Sequence, residues 1–234
     1  KRRRKDVREF ERDLMANIFT LHRDLSAKIY IHSAYHKFNI SDPKPRIIHK
    51  ASVRDRLLHH AIYRKLYPFF NRTFISDSFS CRNEKGTHRA LDRFRAFGHI
   101  VSRNNTRTCW VLKCDIRKFF ANIDHDILFS ILARYIPDAE ILGLLKNIVG
   151  SFQTSWIPAS AGMTTTGLPL GNLTSQLLVN IYMNEFDQFV KHRLKAKYYI
   201  RYADDFVLMS QSKAELEKQL VLMRQFLQER LKLS

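Results

Sequence analysis

The sequence has few cysteines, and its acidic residues are outnumbered by basic ones. Cys81, Cys109 and Cys114 are odd in number and form no Cys-x-x-Cys pair, which argues against both a disulfide framework and a zinc site. Asp and Glu number 22 against 40 Lys and Arg, so the formal net charge is +18. This charge favours a polyanionic partner, and nucleic acid fits it better than an anionic membrane does.

Long apolar runs and glycine-rich loops are also missing. No charge-free apolar stretch is long enough to cross a bilayer, and the chain opens on Lys1-Arg-Arg-Arg-Lys5 rather than on a secretory signal. Together with the unpaired cysteines, these absences predict a cytoplasmic protein without a membrane partner. The polar stretch 76–88 has one glycine, Gly86, and lacks the Lys-Ser/Thr pair of a P-loop, which excludes that class of nucleotide site.

The chain does contain a stretch typical of a β-hairpin, Tyr199-Ile-Arg-Tyr-Ala-Asp-Asp-Phe-Val-Leu-Met209. Two β-prone runs flank a short turn that carries Asp204 and Asp205. An isolated Asp-Asp pair at a turn would be interpreted as solvated turn residues. A second apolar strand, however, ends directly before Asp115. Two such strands side by side would bring three carboxylates together.

Three neighbouring carboxylates predict a metal site. They cannot all stay ionised without nearby cations, and their hard oxygen atoms suit Mg²⁺. Two Mg²⁺ ions held in this way support phosphoryl transfer, in which one ion activates the attacking oxygen and the other stabilises the leaving group.

Hydrophobic periodicity predicts the other elements. Helices are expected over 6–37, 51–70, 89–103, 127–149, 174–192 and from 213 to the end, and a short strand over 46–50. The inner face of the helix over 51–70 would consist of Val53, Leu57, Ala61, Tyr63, Leu66 and Phe69. The basic residues of this helix would form either a solvated face or a face that contacts the template.

Two turns and a loop complete the prediction. Asn122 or Asp124 is expected to cap the helix that follows. Residues 151–166 are small and hydroxyl-rich with little periodicity, which predicts a long loop, either an insertion or a mobile element of the site. Gly167–Gln176 is a backbone-permissive turn opening a helix, and its amides and hydroxyls suit the phosphate and sugar of a nucleotide.

In this order, the segments resemble those of the reverse transcriptases. The two fingers blocks of that family look like Pro45-Arg-Ile-Ile with Val53-Arg-Asp-Arg-Leu57, and Phe79-Ser-Cys-Arg82 with Gly86-Thr-His-Arg-Ala-Leu91. Its motifs A, B and C look like Asp115-Ile-Arg-Lys-Phe-Phe120, Gly167–Gln176 and Tyr202-Ala-Asp-Asp205. The resemblance covers nearly the whole chain, and five motifs in the family's order are a specific signal.

The resemblance implies an α+β fold, a right-hand polymerase with fingers in residues 1–108 and a palm in 109–234. The antiparallel palm sheet would pack on helices. The implied activity is RNA-directed DNA synthesis from dNTPs on an RNA template, with a DNA or RNA primer and two Mg²⁺ ions. The resemblance also implies a primer-gripping hairpin and a helical thumb after the palm; both are expected to be missing from this chain, so an accessory protein is a candidate partner.

By position, the resemblance assigns roles to individual residues. The catalytic and metal-binding residues would be Asp115, Asp204 and Asp205, with the carbonyl of Ile116 as a further metal ligand. Nucleotide contacts would come from Arg46, Phe120, Leu170, Gly171, Ser175 and Gln176, where the Phe120 ring excludes a ribose 2′-hydroxyl. The basic helix and the polar loop add four expected contacts to nucleic acid, namely Arg54, Arg56, Arg82 and Lys85.

Motif B also indicates a subgroup. It reads Leu170-Gly-Asn-Leu-Thr-Ser-Gln176 where the commoner family pattern is Gln-Gly-x-x-x-Ser-Pro. The most similar group is the bacterial one of group II introns and diversity-generating retroelements, and this substitution resembles the second subgroup. Because a leucine side chain forms no hydrogen bond near the base, an error-prone polymerase is expected.

Two alternatives stay open. An RNA-directed RNA polymerase shares the palm, although such enzymes generally carry an acidic residue at the position of Phe120. A non-catalytic, maturase-like RNA-binding protein, or a degenerate relative, would keep the basic surface without needing the three carboxylates.

Overall fold

The computed structural model describes residues 4–41, 45–152 and 165–234. Its helices are α1 (Lys5–Arg12), α2 (Leu14–Ser26), α3 (Val53–Thr73), α4 (Thr87–Val101), α5 (His125–Ala133), α6 (Ala139–Gly150), α7 (Leu173–Gln188) and α8 (Lys213–Leu231). Its strands are β1 (His36–Ile40), β2 (Arg46–Lys50), β3 (Trp110–Cys114), β4 (Tyr199–Tyr202) and β5 (Asp205–Ser210). Two small antiparallel sheets among helices make the fold α+β, as predicted.

A three-stranded sheet of order β3-β5-β4 carries the hairpin predicted from the sequence. Tyr202 pairs with Asp205 across a two-residue turn, and Cys114 at the end of β3 pairs with Phe206. Side chains alternate between the two faces of the sheet. Ile200 lies on the α4 side with Phe97, whereas Phe206 lies in the main core.

Helix α7 forms the centre of the main core. It is buried on nearly all sides, and Tyr182, Met183 and Phe186 are fully inaccessible to solvent. The helix packs against α3, α5 and α8. Leu58 and Ile62 of α3 belong to the same core as the palm residues, so no separate core marks the predicted boundary at 108–109. The division into fingers and palm stays a prediction.

The single helix predicted over 6–37 is wrong. The helix is interrupted at Asp13, between α1 and α2, and the chain leaves the helical conformation at Lys28, whose φ is 59°. The next residues alternate, with Tyr30 and His32 buried while the neighbouring Ile29 and Ile31 are exposed. This two-residue period is that of an extended chain, which leads into β1.

The prediction of one helix over 127–149 is also wrong. Pro137 disfavours helical geometry in the residue before it, and Asp138 starts α6 by accepting hydrogen bonds from the amides of Glu140 and Ile141. Asp124, by contrast, caps α5 as predicted, because its carboxylate accepts a hydrogen bond from the amide of Ile127 at 3.0 Å.

Two further outcomes concern a helix face and a loop. On α3 the buried apolar residues are Leu58, Ile62, Tyr67 and Phe70, while Leu57 and Phe69, predicted to face inwards, are 40% and 48% exposed. Most of the loop predicted over 151–166 lies outside the described residues. None of the described helices combines the length and hydropathy needed to span a membrane.

Candidate active site

The three carboxylates predicted from the sequence lie together. Asp115 directly follows β3, Asp204 lies in the turn between β4 and β5, and Asp205 is the first residue of β5. Because β3 pairs antiparallel with β5, all three residues lie at the same end of the sheet. One carboxylate oxygen from each of the three lies within 4.8 Å of the others. The sheet register alone is therefore sufficient to assemble the cluster.

Burial and the neighbouring carboxylates disfavour the ionised form of Asp204. Burial raises the pKa of Asp204, and the neighbouring charges of Asp115 and Asp205 raise it further, while Arg46 opposes the shift. The ammonium group of Lys113 lies 3.8 Å from the Asp205 carboxylate, and both side chains are exposed. A site that penalises its own negative charge in this way is suited to a bound cation.

The donor atoms fit Mg²⁺. Three carboxylates supply the hard oxygen ligands that this ion prefers. The side chain of Ile116 is buried in the main core, so any contribution of this residue to a metal site comes from its backbone carbonyl. The metal-binding roles of these residues stay predictions.

Arg46 lies near the cluster, and Phe120 follows Asp115 by five residues in the chain. Arg46 begins β2 with an exposed side chain, and it is near enough to Asp204 to lower the pKa of that carboxyl group. Phe120 is half-buried and edge-on to Phe119, with 5.6 Å between ring centroids. The carbonyl of Phe120 accepts a hydrogen bond from the amide of Leu168 at 2.8 Å, which ties motif A to motif B.

The motif B turn is joined to β2. The carbonyl of Leu170 accepts a hydrogen bond from the amide of His49 at 3.0 Å, and the amide group of Asn172 donates to the His49 carbonyl at 2.8 Å. Gly171 has a φ of 99°, and a Cβ at this position would stand 2.7 Å from Cγ2 of Ile48. Its glycine is thus required by backbone geometry and by the approach of β2.

The two remaining motif B residues are placed differently. Ser175 is buried at 2% exposure, within the first turn of α7. Gln176 is half-buried and lines a cavity to which α1 and α2 also contribute residues, including Phe10 and Leu14. Nucleotide contacts of these two side chains stay predictions.

The four basic residues expected to touch nucleic acid have partners within the protein. Arg54 pairs with Asp24 at 2.8 Å and Arg56 with Asp6 at 2.9 Å, so both tie α3 to the amino-terminal helices. A contact of either arginine with phosphate would compete with these ion pairs.

Arg82 and Lys85 are likewise bonded within their own loop. The guanidinium of Arg82 donates to the carbonyls of Ile75 and Ser78 at 2.6 and 2.9 Å and to the side chain of Asn71 at 2.9 Å. Lys85 donates to the carbonyl of Ser76 at 2.7 Å. The geometry assigns Arg82 to bracing this loop, since a nucleic-acid contact would have to displace those bonds.

Sequence reasoning missed a buried ion pair beneath the hairpin turn. Arg201 in β4 and Asp187 in α7 are both fully buried, and their side chains are 2.7 Å apart. Burial opposes the charge of Arg201, but Asp187 and the hydroxyl of Tyr199 outweigh it and leave the pKa of the guanidinium raised. The available signal was Arg201 between the apolar residues of β4, because a charged residue in a buried strand needs a partner.

Comparison with known proteins agrees with this architecture. A profile of the family described as reverse transcriptase (RNA-dependent DNA polymerase) matches residues 36–234. Protein YkfC of Escherichia coli (strain K12) is 27% identical over an aligned length of 211, and the match covers 76% of this chain and 54% of that protein. The group II intron-encoded protein LtrA of Lactococcus lactis subsp. cremoris is 30% identical over 145 residues, 62% of this chain and 22% of LtrA. The chain thus spans about half of the first relative and about a fifth of the second.

Solved structures show the same fold. Apo telomerase from Candida tropicalis superposes with a TM-score of 0.61 at 10% identity, over 87% of this chain and 43% of the telomerase chain. At this identity the likeness concerns the fold alone. The profile, however, extends over most of the sequence and includes all the strands and the three clustered carboxylates. The chain belongs to the reverse transcriptase family.

Proposed function

We propose that this chain carries the catalytic core of an RNA-directed DNA polymerase, which adds deoxynucleotides to a primer on an RNA template with two Mg²⁺ ions. The observation that carries the proposal is the cluster of Asp115, Asp204 and Asp205 at one sheet edge, with oxygen atoms within 4.8 Å of one another. Family membership and the net charge of +18 support the same activity.

The residues of the chain have distinct roles in this proposal. Mg²⁺ bound by the carboxylates would activate the primer's attacking oxygen and stabilise the charge that develops on the leaving phosphate. Arg46 supplies positive charge near Asp204, which would stabilise the charge of a bound triphosphate. The Phe120 ring narrows the space beside the sugar, and the motif B turn, bonded to β2 through His49, frames the nucleotide.

Primer extension on an RNA template with Mg²⁺ tests the proposal, with dNTPs or NTPs offered separately. Asp115→Asn and Asp204→Asn should each lower extension roughly a thousandfold, because a lost metal ligand removes several kcal/mol of charge stabilisation from the transition state. RNA binding should persist, since phosphate contacts come from basic residues elsewhere. Asp126→Asn, at an exposed carboxylate on α5 outside the cluster, is the matched control and should extend normally.

Each alternative function has its own outcome in this assay. Full extension by either cluster variant would refute the site assignment. Extension from NTPs in preference to dNTPs would indicate an RNA polymerase. RNA binding without any extension, even when a primer-gripping protein is supplied, would indicate a non-catalytic RNA-binding protein.

A further inference from the structure

The side chain of Arg201 is completely enclosed at the base of the hairpin that carries Asp204 and Asp205. Its Nε donates to the two carboxylate oxygens of Asp187 at 2.8 and 3.0 Å, and its Nη2 donates to Oδ2 of the same group at 2.7 Å. The hydroxyl of Tyr199 donates to Oδ1 of Asp187 at 2.7 Å and completes the shell around that carboxylate.

The same guanidinium also reaches the turn itself. Nη1 of Arg201 donates to the carbonyl of Ala203 at 3.0 Å. Ala203 has a φ of 57°, in the left-handed region that costs a non-glycine residue roughly 1 kcal/mol or more. A strained residue directly before Asp204 keeps its conformation only where its surroundings determine it. Within the described residues, Arg201 is the side chain that donates a hydrogen bond to the carbonyl of Ala203.

Arg201 connects this turn to two other parts of the site. Nη1 donates to the side-chain oxygen of Asn180 on α7 at 3.2 Å, and Nη2 donates to the hydroxyl of Ser78 at 3.1 Å. The backbone of Arg201 bonds to the same segment, since its amide donates to the carbonyl of Asp77 and its carbonyl accepts from the amide of Phe79. Helix α7, the segment 77–79 and the metal-binding turn therefore share one guanidinium.

A buried ion pair is an expensive way to stabilise a fold. Apolar residues of similar volume often stabilise a core as well or better, because two charges lose their hydration when they are buried. Retention of Arg201 and Asp187 at this position therefore needs a further reason, and the bond to the Ala203 carbonyl supplies one, because no apolar side chain can donate it.

We propose that Arg201 is a positioning residue, held by Asp187, which fixes the Ala203–Asp204 turn so that Asp204 shares a cation with Asp115. The inference rests on the proposed function for the identity of the metal site. Its readout is metal affinity, however, and does not require polymerisation. Mn²⁺, which is visible by electron paramagnetic resonance and takes the same oxygen ligands, is the probe.

The first variant is Arg201→Lys, which keeps the charge but has no planar fork to bond Asp187 and the Ala203 carbonyl together. We expect Mn²⁺ to bind about tenfold more weakly, the lower end of the effect of losing a group that orients a metal ligand. The matched control is Glu185→Gln. Glu185 lies on α7 two residues before Asp187 and pairs with Arg134 instead of with the turn, so its loss should leave Mn²⁺ affinity unchanged.

The deciding variant is the double change Arg201→Met with Asp187→Leu. Loss of one charge alone would leave the other buried without a partner, whereas removal of both should keep the free energy of unfolding close to that of the wild type. Mn²⁺ affinity should nevertheless stay about tenfold weaker, because the Ala203 carbonyl still lacks its donor. If the double variant does not fold, Arg201→Lys decides the question alone.

Recovery of wild-type Mn²⁺ affinity in the double variant, or undiminished affinity in Arg201→Lys, would mean that the pair only stabilises the fold. Wild-type binding that Asp115→Asn does not weaken would also overturn the inference. A wild-type chain that binds Mn²⁺ through Asp115 but extends no primer contradicts the proposed polymerase and leaves this inference open to the same affinity test.

Discussion

At the scale of single residues, Phe120 is half-buried against the main core and is predicted to contact the sugar of the nucleotide. We expect Phe120→Ala to lower the preference for dNTPs over NTPs by at least roughly tenfold, because a hole would replace the ring that is proposed to exclude a 2′-hydroxyl. Extension from dNTPs should change less, since the carboxylates are untouched. Competition between dNTPs and NTPs in primer extension measures the effect.

The neighbouring ring provides the control for this experiment. Phe119 is buried at 2% exposure and packs edge-on to Phe120. Phe119→Ala should therefore lower the free energy of unfolding without changing sugar selectivity. Unchanged selectivity in Phe120→Ala would make Phe120 a second core aromatic.

His59 gives the fold a dependence on pH. It is buried in α3, shares a 3.2 Å contact between its Nε2 and that of His32, and its Nδ1 has no partner within the described residues. Burial, with smaller effects from the neighbouring His32 and His60, lowers the pKa of His59 from 6.5 to about 4, and Asp55 opposes this shift. The unfolded chain thus takes up a proton near pH 6.5 that the folded chain refuses until about pH 4, so stability falls as the pH decreases between these values.

Urea unfolding at pH 7.5 and pH 5 tests this linkage. Between these values the wild type should lose about 2 kcal/mol more than His59→Gln does, which follows from the two pKa values. His60→Gln, at the exposed neighbour, should stay close to the wild type, because His60 contributes least to lowering the pKa of His59. Equal losses in the wild type and in His59→Gln would place the pH sensitivity in other groups.

At the scale of elements, hydrogen bonds between β2 and the motif B turn connect the amino-terminal part of the chain to the part that carries motif B. Gly171→Ala should lower the free energy of unfolding by about 1–2 kcal/mol from the positive φ alone. It should also push β2 outwards, because the new Cβ would lie 2.7 Å from Ile48. Extension should fall with it, since Arg46 begins the same strand. Chemical denaturation and primer extension measure the two effects.

Two variants separate strain from contact at this join. Gly171→Ala combined with Ile48→Ala should recover part of the lost extension, because the contact is relieved while the backbone strain persists. Gly143→Ala, in α6 with open space around the added Cβ, should be neutral or stabilising by about 0.5–1 kcal/mol. A Gly171→Ala variant as stable and active as the wild type would show that β2 tolerates displacement.

At the scale of the whole molecule, the net charge of +18 predicts steeply salt-dependent binding of RNA. If the protein makes six to ten phosphate contacts, raising the salt concentration from 50 to 200 mM should lower its RNA affinity by roughly 10³–10⁵. The reason is that lysine and arginine side chains release condensed counterions when they bind phosphate, and added salt opposes this release. Fluorescence anisotropy with labelled RNA measures the slope. A slope near zero would mean that the basic surface is only solvated.

The structure also indicates which cations should matter most. Arg64 and Lys65 are exposed on α3 and have no ion-pair partner within the described residues, whereas Arg54 and Arg56 are paired with carboxylates. The double change of Arg64 and Lys65 to Gln should therefore reduce the slope by about two. The same change at Arg54 and Arg56 should reduce it less, since phosphate has to compete for those two side chains.

The sequence alone was sufficient for features that depend on neighbours along the chain. The hairpin around Asp204 follows from β-prone runs on either side of a turn, and the cap of Asp124 follows from its place before an apolar helix. The helix expected from residue 213 onwards is α8, and its inward-facing residues, Leu216, Leu220, Met223 and Leu227, stand three or four positions apart. Such local patterns remain informative because each is encoded within a few consecutive residues.

Tertiary structure decided what the local pattern leaves degenerate. On α3, apolar residues stand in adjacent pairs such as 57–58 and 69–70, and neighbours on a helix differ by about 100°, so two faces fit the pattern nearly equally well. Contact with α7 buries one of them. In the same way, only the packing of β4 on α7 brings Arg201 to Asp187, 14 residues apart in the chain. A buried charge is stable only with its partner in place, and that partner is specified by the fold rather than by neighbouring residues.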